Sequence, residues 1–322
     1  MSRTLTTTPR ADGFRMPGEF EPHRGTWMLW PERPDNWRWG AKPAQAAFAE
    51  VAGAISAHEP VTMCVSPAQY LNARHMLPEA VRIVEMSSND AWVRDTGRTF
   101  VGNAGGRRRA EVWEVNAWGG LEGGLYFPWD QDDLVAQKLA AVEGVDRYRA
   151  PLVMEGGAIH SDGQGTLLVT EQCLLNRNRN PQLSRGQIES MLRDYTGATT
   201  IVWLGEGVIN DETDGHVDNL ACFARPGEVC LTFPANRRDP QWRVSNDALD
   251  RLAAARDARG RRFTVHRLPS PGPLRMTAAE AAGVQHRDGA RPRRAGERLA
   301  ASYANFYIAN GCVLMPCFDD PA

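Results

Sequence analysis

Apolar residues recur at helical spacing in four stretches, and each stretch gives way to a short strand-like run. Pro43 opens the first, with Phe48, Val51, Ala52 and Ile55 on one face, and a strand over Pro60 to Val65 follows. Asp130 is the expected cap of the second, which carries Leu134, Leu139 and Val142 inward and closes at Gly144. Ser184, three residues before Gln187, forms a capping box for the third, through Ile188, Met191 and Leu192; Gly197 ends it before a strand over Thr199 to Leu204. Asn246 or Asp247 starts the fourth, which runs through Leu249, Leu252 and Ala253 to Gly260, ahead of a strand over Phe263 to Leu268. Further strands are expected over Val81 to Met86, Arg98 to Gly102, Gly165 to Thr170, His216 to Phe223, Glu228 to Phe233 and Asn305 to Met315, with Pro226-Gly227 as a hairpin turn. The alternation predicts an α/β domain, but the extra strand pairs between helices do not fit a strictly doubly wound sheet. Phe318 to Ala322 reads as the cap of a fifth helix.

Composition narrows the function. The 322 residues are 42% apolar and 24% charged with a net charge of −2, and no Pro/Ser-rich linker divides them, so a single domain over 1–322 is expected, with 1–13 disordered. Near-neutrality and short arginine runs such as Arg107 to Arg109 argue against a nucleic-acid partner. Lys42 and Lys138 are the only lysines among 37 basic residues, and neither sits in a phosphate-binding loop or a context suited to a Schiff base. The six cysteines include no Cys-x-x-Cys pair, which argues against zinc; no metal is expected. No apolar run approaches the ~18 residues of a membrane span, and a cytoplasmic protein with reduced thiols is the expectation.

Four polar constellations could carry chemistry. Asn89 to Gly97 places Asp90, Trp92, Arg94 and Asp95 together, a kit for a planar cation held by carboxylates against an aromatic wall; an internal Arg94–Asp95 network is the alternative. Glu155-Gly156-Gly157 ends an apolar run where either a ligand or a simple turn fits. Asn210 to Asn219 holds Asp214, His216 and Asp218, and on an extended chain His216 and Asp218 share a face, a histidine beside a carboxylate for acid–base work. Asn116 to Gly120, Met16 to Phe20 and Thr26 to Pro31 read as packing and loop geometry, with Trp27 and Trp30 as candidate walls.

These motifs occur in order from Met16 to Pro321, together with Glu297 to Tyr303, and the chain resembles the agmatine deiminases, within the Porphyromonas-type peptidyl-arginine deiminase family of the guanidino-group-modifying (pentein) superfamily. The resemblance implies a five-bladed α/β propeller of strand–strand–helix–strand blades. It further implies hydrolysis of agmatine to N-carbamoylputrescine and ammonia, in putrescine synthesis, without metal or organic cofactor, by a chain that can form a homo-oligomer. By the same resemblance Asp95 and Asp218 grip the guanidinium, Trp92 walls the pocket, Asp214 meets the substrate, His216 is acid and then base, and Glu155 orients His216.

The chain departs from the family in one respect of consequence. The nucleophilic cysteine normally follows a Gly-Gly-Gly-Asn-Ile-His-Cys motif beyond the Phe-Asp-Asp-Pro segment, and none of the six cysteines here is that residue. Cys312 and Cys317 are expected as core residues of a buried strand, and Arg98 stands where proline is common. The expectation is therefore an incomplete fifth blade and an inactive chain. Arginine or peptidyl-arginine deimination, amidino transfer, and non-catalytic guanidinium or polyamine binding remain as alternatives.

Overall fold

The computed structural model describes residues 2–97 and 99–319. Arg98 and the end of the expected fifth helix, Asp320 to Ala322, lie outside the described residues. Five separate sheets form among those described. The first is parallel throughout: β1 (Thr26–Leu29), β2 (Val61–Val65) and β3 (Arg82–Glu85). The next three share one plan, an antiparallel pair, a helix, and a third strand parallel to the second. They comprise β4 (Thr99–Gly102), β5 (Arg108–Glu114) and β6 (Arg147–Val153); β7 (Ile159–Ser161), β8 (Thr166–Thr170) and β9 (Thr200–Leu204); and β10 (Ala221–Arg225), β11 (Glu228–Phe233) and β12 (Thr264–Pro269). The fifth sheet is the hairpin β13 (Tyr307–Ala309) and β14 (Cys312–Leu314).

Period-two patterning explains how each sheet meets its helix. In β10 and β11, Ala221, Phe223, Val229 and Leu231 pack with Val244, Ala248 and Leu252 of the helix Pro240–Ala254. The intervening Cys222 and Cys230, paired across the strands, therefore face the opposite side. A capping box at Ser184 and a left-handed Gly197 bound the helix Arg185–Thr196, as its sequence requires.

Several boundaries differ from expectation. The second helix is Val135–Val142, not capped by Asp130, because Asp132 and Asp133 accept from the backbones of Asn89 and Val115 instead. The fourth begins at Pro240, where Asp239 accepts from the Gln241 N–H; it ends at Ala254, short of Gly260. His216 to Phe223 is not one strand: His216 precedes a one-turn helix, Val217–Leu220, and β10 starts only at Ala221. Asn305 to Met315 is the β13–β14 hairpin turning at Gly311; Cys312 is half-buried and packs against the core of the first sheet, whereas Cys317 is exposed and not core. The N-terminal segment expected to be disordered is docked: Thr4 bridges Arg147 of β6 and Arg15 bridges Gly102 of β4, while Asp12 accepts from the Tyr148 hydroxyl. Trp27 and Trp30 pack in core clusters on β1 and its end, not as pocket walls.

Candidate active site

Three consecutive sheets deliver the candidate residues from one structural position, the segment just before the antiparallel pair. Asp95 lies in the one-turn helix Val93–Thr96 ahead of β4, Glu155 immediately before the 3-10 turn Gly156–Ala158 ahead of β7, and His216 and Asp218 at the one-turn helix ahead of β10. Each residue thus stands at the entry to its own hairpin, and the packing of the three sheets brings residues about sixty positions apart together.

Their meeting point is Gly157. Its N–H donates to Asp95 Oδ1 at 2.9 Å, and a Cβ added there would stand 2.5 Å from His216 Nδ1, 2.6 Å from Asp218 Oδ2 and 3.0 Å from Asp95 Oδ1. Only glycine leaves that space open. His216 Nε2 lies 3.4 Å from Glu155 Oε2 and its Nδ1 3.8 Å from Asp95 Oδ1. The structure thus brings Asp95, Glu155, His216 and Asp218 into one cluster, and replaces the shared strand face expected for His216 and Asp218 with a helical turn.

Burial and charge set the protonation states. Burial alone would lower the His216 imidazole, but the Asp95 charge, the Cys173 thiol and Glu155 outweigh it and hold His216 well above its ordinary value. Burial pushes Asp218 up to about 7, against the pull of His216, and its Oδ1 is out of solvent with no hydrogen-bond partner. Burial also raises Asp95. Glu155 goes the other way: burial would raise it, but Arg179 and His216 keep it below the ordinary carboxylate range. A cationic donor therefore sits among buried carboxylates, one of which lacks a partner, and that arrangement suits a planar cation with N–H groups on its edges.

Glu155, Cys173 and His216 bring donor atoms within 4.8 Å of one another, but a metal ion there would have to displace the Arg179 guanidinium from Glu155 and the proton from His216. His160, nearby in a narrow cavity of ≈ 10 Å³ shared with Glu19, Arg94, Asp218 and Cys222, is of another kind. Its Nδ1 accepts from the Phe223 N–H, and burial lowers it to about 4, so it stays neutral.

Trp92 is held in place by its indole N–H, which donates to Asp90 Oδ2 at 2.9 Å; Trp37 donates to the other oxygen at 2.7 Å and stacks on Trp92 with centroids 4.9 Å apart. Arg94 pairs with Glu19, so the alternative of an Arg94–Asp95 ion pair is not what the structure forms. Asp214 is tied to Arg179 and Asn178 on the far side of Glu155, at 2.9 and 2.8 Å, rather than beside Asp95 and Asp218. Sequence reasoning missed Arg179, Trp37, Glu19 and Cys173. The only signal for Arg179 was the polar block Asn178-Arg179-Asn180-Pro181 between apolar stretches, which reads as a loop.

Known proteins resemble this chain over most of its length. The agmatine deiminase of Ectopseudomonas mendocina is 56% identical over 320 residues, covering 99% of this chain and 87% of the relative. Among solved structures, the agmatine deiminase of Enterococcus faecalis superimposes with a TM-score of 0.97 at 49% identity, over 100% of this chain and 88% of that one. A cysteine-to-serine variant of the C. jejuni agmatine deiminase with substrate bound gives 0.79 at 25% identity, over 96% and 84%. Residues 15–322 match the profile of the Porphyromonas-type peptidyl-arginine deiminases, and with these relatives the chain belongs to that family.

Proposed function

We propose that this site hydrolyses agmatine to N-carbamoylputrescine and ammonia. The observation that carries the reading is the convergence of Asp95, Asp218 and His216 within 3.0 Å of one point at Gly157. A guanidinium keeps its charge at any relevant pH, with a solution value of about 12.5 or above, and its resonance-stabilised carbon is a poor electrophile, so paired carboxylates that keep the group protonated and fix which face is open to attack are needed. Asp95 and Asp218 supply that grip, Trp92 closes one side, and His216 stands as proton donor to the departing ammonia. In the covalent route implied by the family, the thiolate comes from the cysteine of the Gly-Gly-Gly-Asn-Ile-His-Cys motif, which is none of the six cysteines here, and its sulfur bonds to the guanidinium carbon. The C–N bond to ammonia then breaks with the His216 proton, and water, deprotonated by His216, releases the ureido product and the thiol.

Two thiols lie close to this cluster. Cys173 is sealed beside His216, and Cys222 borders the cavity with Asp218; burial raises Cys173, and contact with Cys230 together with burial raises Cys222. Both stay protonated, and neither is proposed as the nucleophile. The five sheets, three of them built as hairpin–helix–parallel strand, support a five-bladed α/β propeller. No described helix is long and apolar enough to cross a membrane, in keeping with a cytoplasmic enzyme.

The test is calorimetric titration of the protein with agmatine, free arginine and an arginyl peptide. Agmatine is expected to bind at least about tenfold more tightly than either rival, a difference of about 1.4 kcal/mol. Equal or tighter binding of arginine moves the reading to arginine deimination, and no binding of any guanidine removes it.

A further inference from the structure

Arg179 is fully buried, and its guanidinium makes four hydrogen bonds: Nε to Glu155 Oε1 at 2.8 Å, Nη1 to Asn178 Oδ1 at 2.7 Å and to Asp214 Oδ2 at 2.9 Å, and Nη2 to the Thr213 carbonyl at 3.0 Å. Its partners belong to two separate parts of the site. Glu155 follows β6 and reaches His216 with its other oxygen. Thr213 and Asp214 belong to the loop that launches His216, where Asp214 and Gly215 have φ of 63° and 80°. Gly215 is pressed on Gln172 and Gly207, so this loop has little room to adjust.

We infer that Arg179 is a positioning residue for His216: it keeps Glu155 ionised against the imidazole and pins the loop from which His216 projects. The inference deepens the reading of His216 as proton donor and rests on it.

The electrostatic part follows from the surroundings. The titratable groups facing His216 are Asp95 from the turn before β4, Glu155, Cys173 from the helix Glu171–Leu174 and Asp218 from its own turn. Of these, Glu155 is the one that Arg179 hydrogen-bonds. Glu155 is buried, so its ionised form depends on cations. With Arg179 neutralised, the Glu155 carboxyl takes up a proton, His216 loses one of its anions, and its imidazolium gives up its proton at lower pH. A lysine retains the charge but cannot span Glu155 and Asp214 with a planar fork.

The experiment is an NMR pH titration of the His216 ring, assigned by difference from His216→Ala, in wild type, R179K, R179M, E155Q and E155Q/R179M. Wild type is expected to titrate highest, R179M and E155Q about one pH unit or more lower, R179K between them, and the double variant with E155Q. A folded R179M whose His216 titrates as in wild type overturns the inference. If R179M does not fold, the E155Q pair decides: equal midpoints support action through Glu155, and a midpoint changed by the added R179M overturns it. No guanidine is present in this measurement. Failure of the wild type to bind agmatine would therefore sink the functional reading and leave the Arg179–His216 linkage standing or falling by itself.

Discussion

The backbone N–H of Gly157 donates to Oδ1 of Asp95 at 2.9 Å, joining the turn that follows β6 to the one-turn helix that precedes β4. One hydrogen bond thus sets the Asp95 carboxylate relative to the glycine around which His216 and Asp218 also stand.

Gly157→Ala therefore strikes the site rather than the fold. Its methyl group would lie within 3.0 Å of three functional side chains, and overpacking of this kind costs about 1–3 kcal/mol. The expected outcome is loss of agmatine binding by more than about tenfold with a small fall in Tm, read by calorimetric titration and thermal unfolding. Wild-type affinity in this variant would show that the three side chains do not share the ligand.

Agmatine affinity should rise with pH through about 7, because Asp218 titrates there and only its ionised form attracts the guanidinium. Asp218→Asn should lower affinity about ten- to hundredfold at pH 8 and flatten this dependence. Titrations from pH 5.5 to 8.5 check both.

The same carboxyl has a consequence for stability. Asp218 is raised in the folded state, so folding is penalised as pH climbs from the unfolded value near ~4 to the folded value of about 7, and fully above it. Asp218→Asn should accordingly raise Tm most at pH 8 and least near pH 4. A Tm difference that does not grow with pH would mean that Asp218 is ionised in the folded protein throughout.

His216→Ala should leave agmatine binding unimpaired or slightly tighter, since an imidazolium among the carboxylates repels the incoming cation. A fall in affinity as large as that of Asp218→Asn would assign His216 a structural role.

Trp92→Ala removes the aromatic face proposed as a pocket wall and leaves Asp90 without one of its two indole donors. Affinity should drop about tenfold, the scale of a partly desolvated cation–π contact, with Trp37 fluorescence changed by loss of its stacking partner. Unchanged affinity would place the ligand elsewhere.

How much was legible in advance depended on how local each signal was. The capping box at Ser184 and the left-handed Gly197 bound their helix as expected because every atom involved lies within a few residues. Asp130 misled because the carboxylate beside it serves distant backbone instead of a helix end: Asp132 accepts from Asn89 and Asp90, forty-odd residues away. Asn246 misled because it lies inside a helix that Asp239 caps, where it donates to Asp250 one turn on. Cys312 and Cys317 read as core because they flank an apolar run, yet Val313 between them and Met315 are half exposed on the hairpin.

The sequence by itself determined the chemistry available: Asp95, Glu155, His216 and Asp218, each in a short polar motif beside glycine or an apolar strand, and the alternation of helices with strand pairs. These are local properties, written in residue type and spacing. Only the tertiary structure decided that His216 and Asp218 meet through a helical turn rather than a shared strand face, that Asp214 binds Arg179 behind Glu155, and that Arg94 serves Glu19. A charged side chain takes whichever opposite charge the packing of separate sheets brings within reach, and that choice is made across dozens of residues of intervening chain, where spacing carries no information.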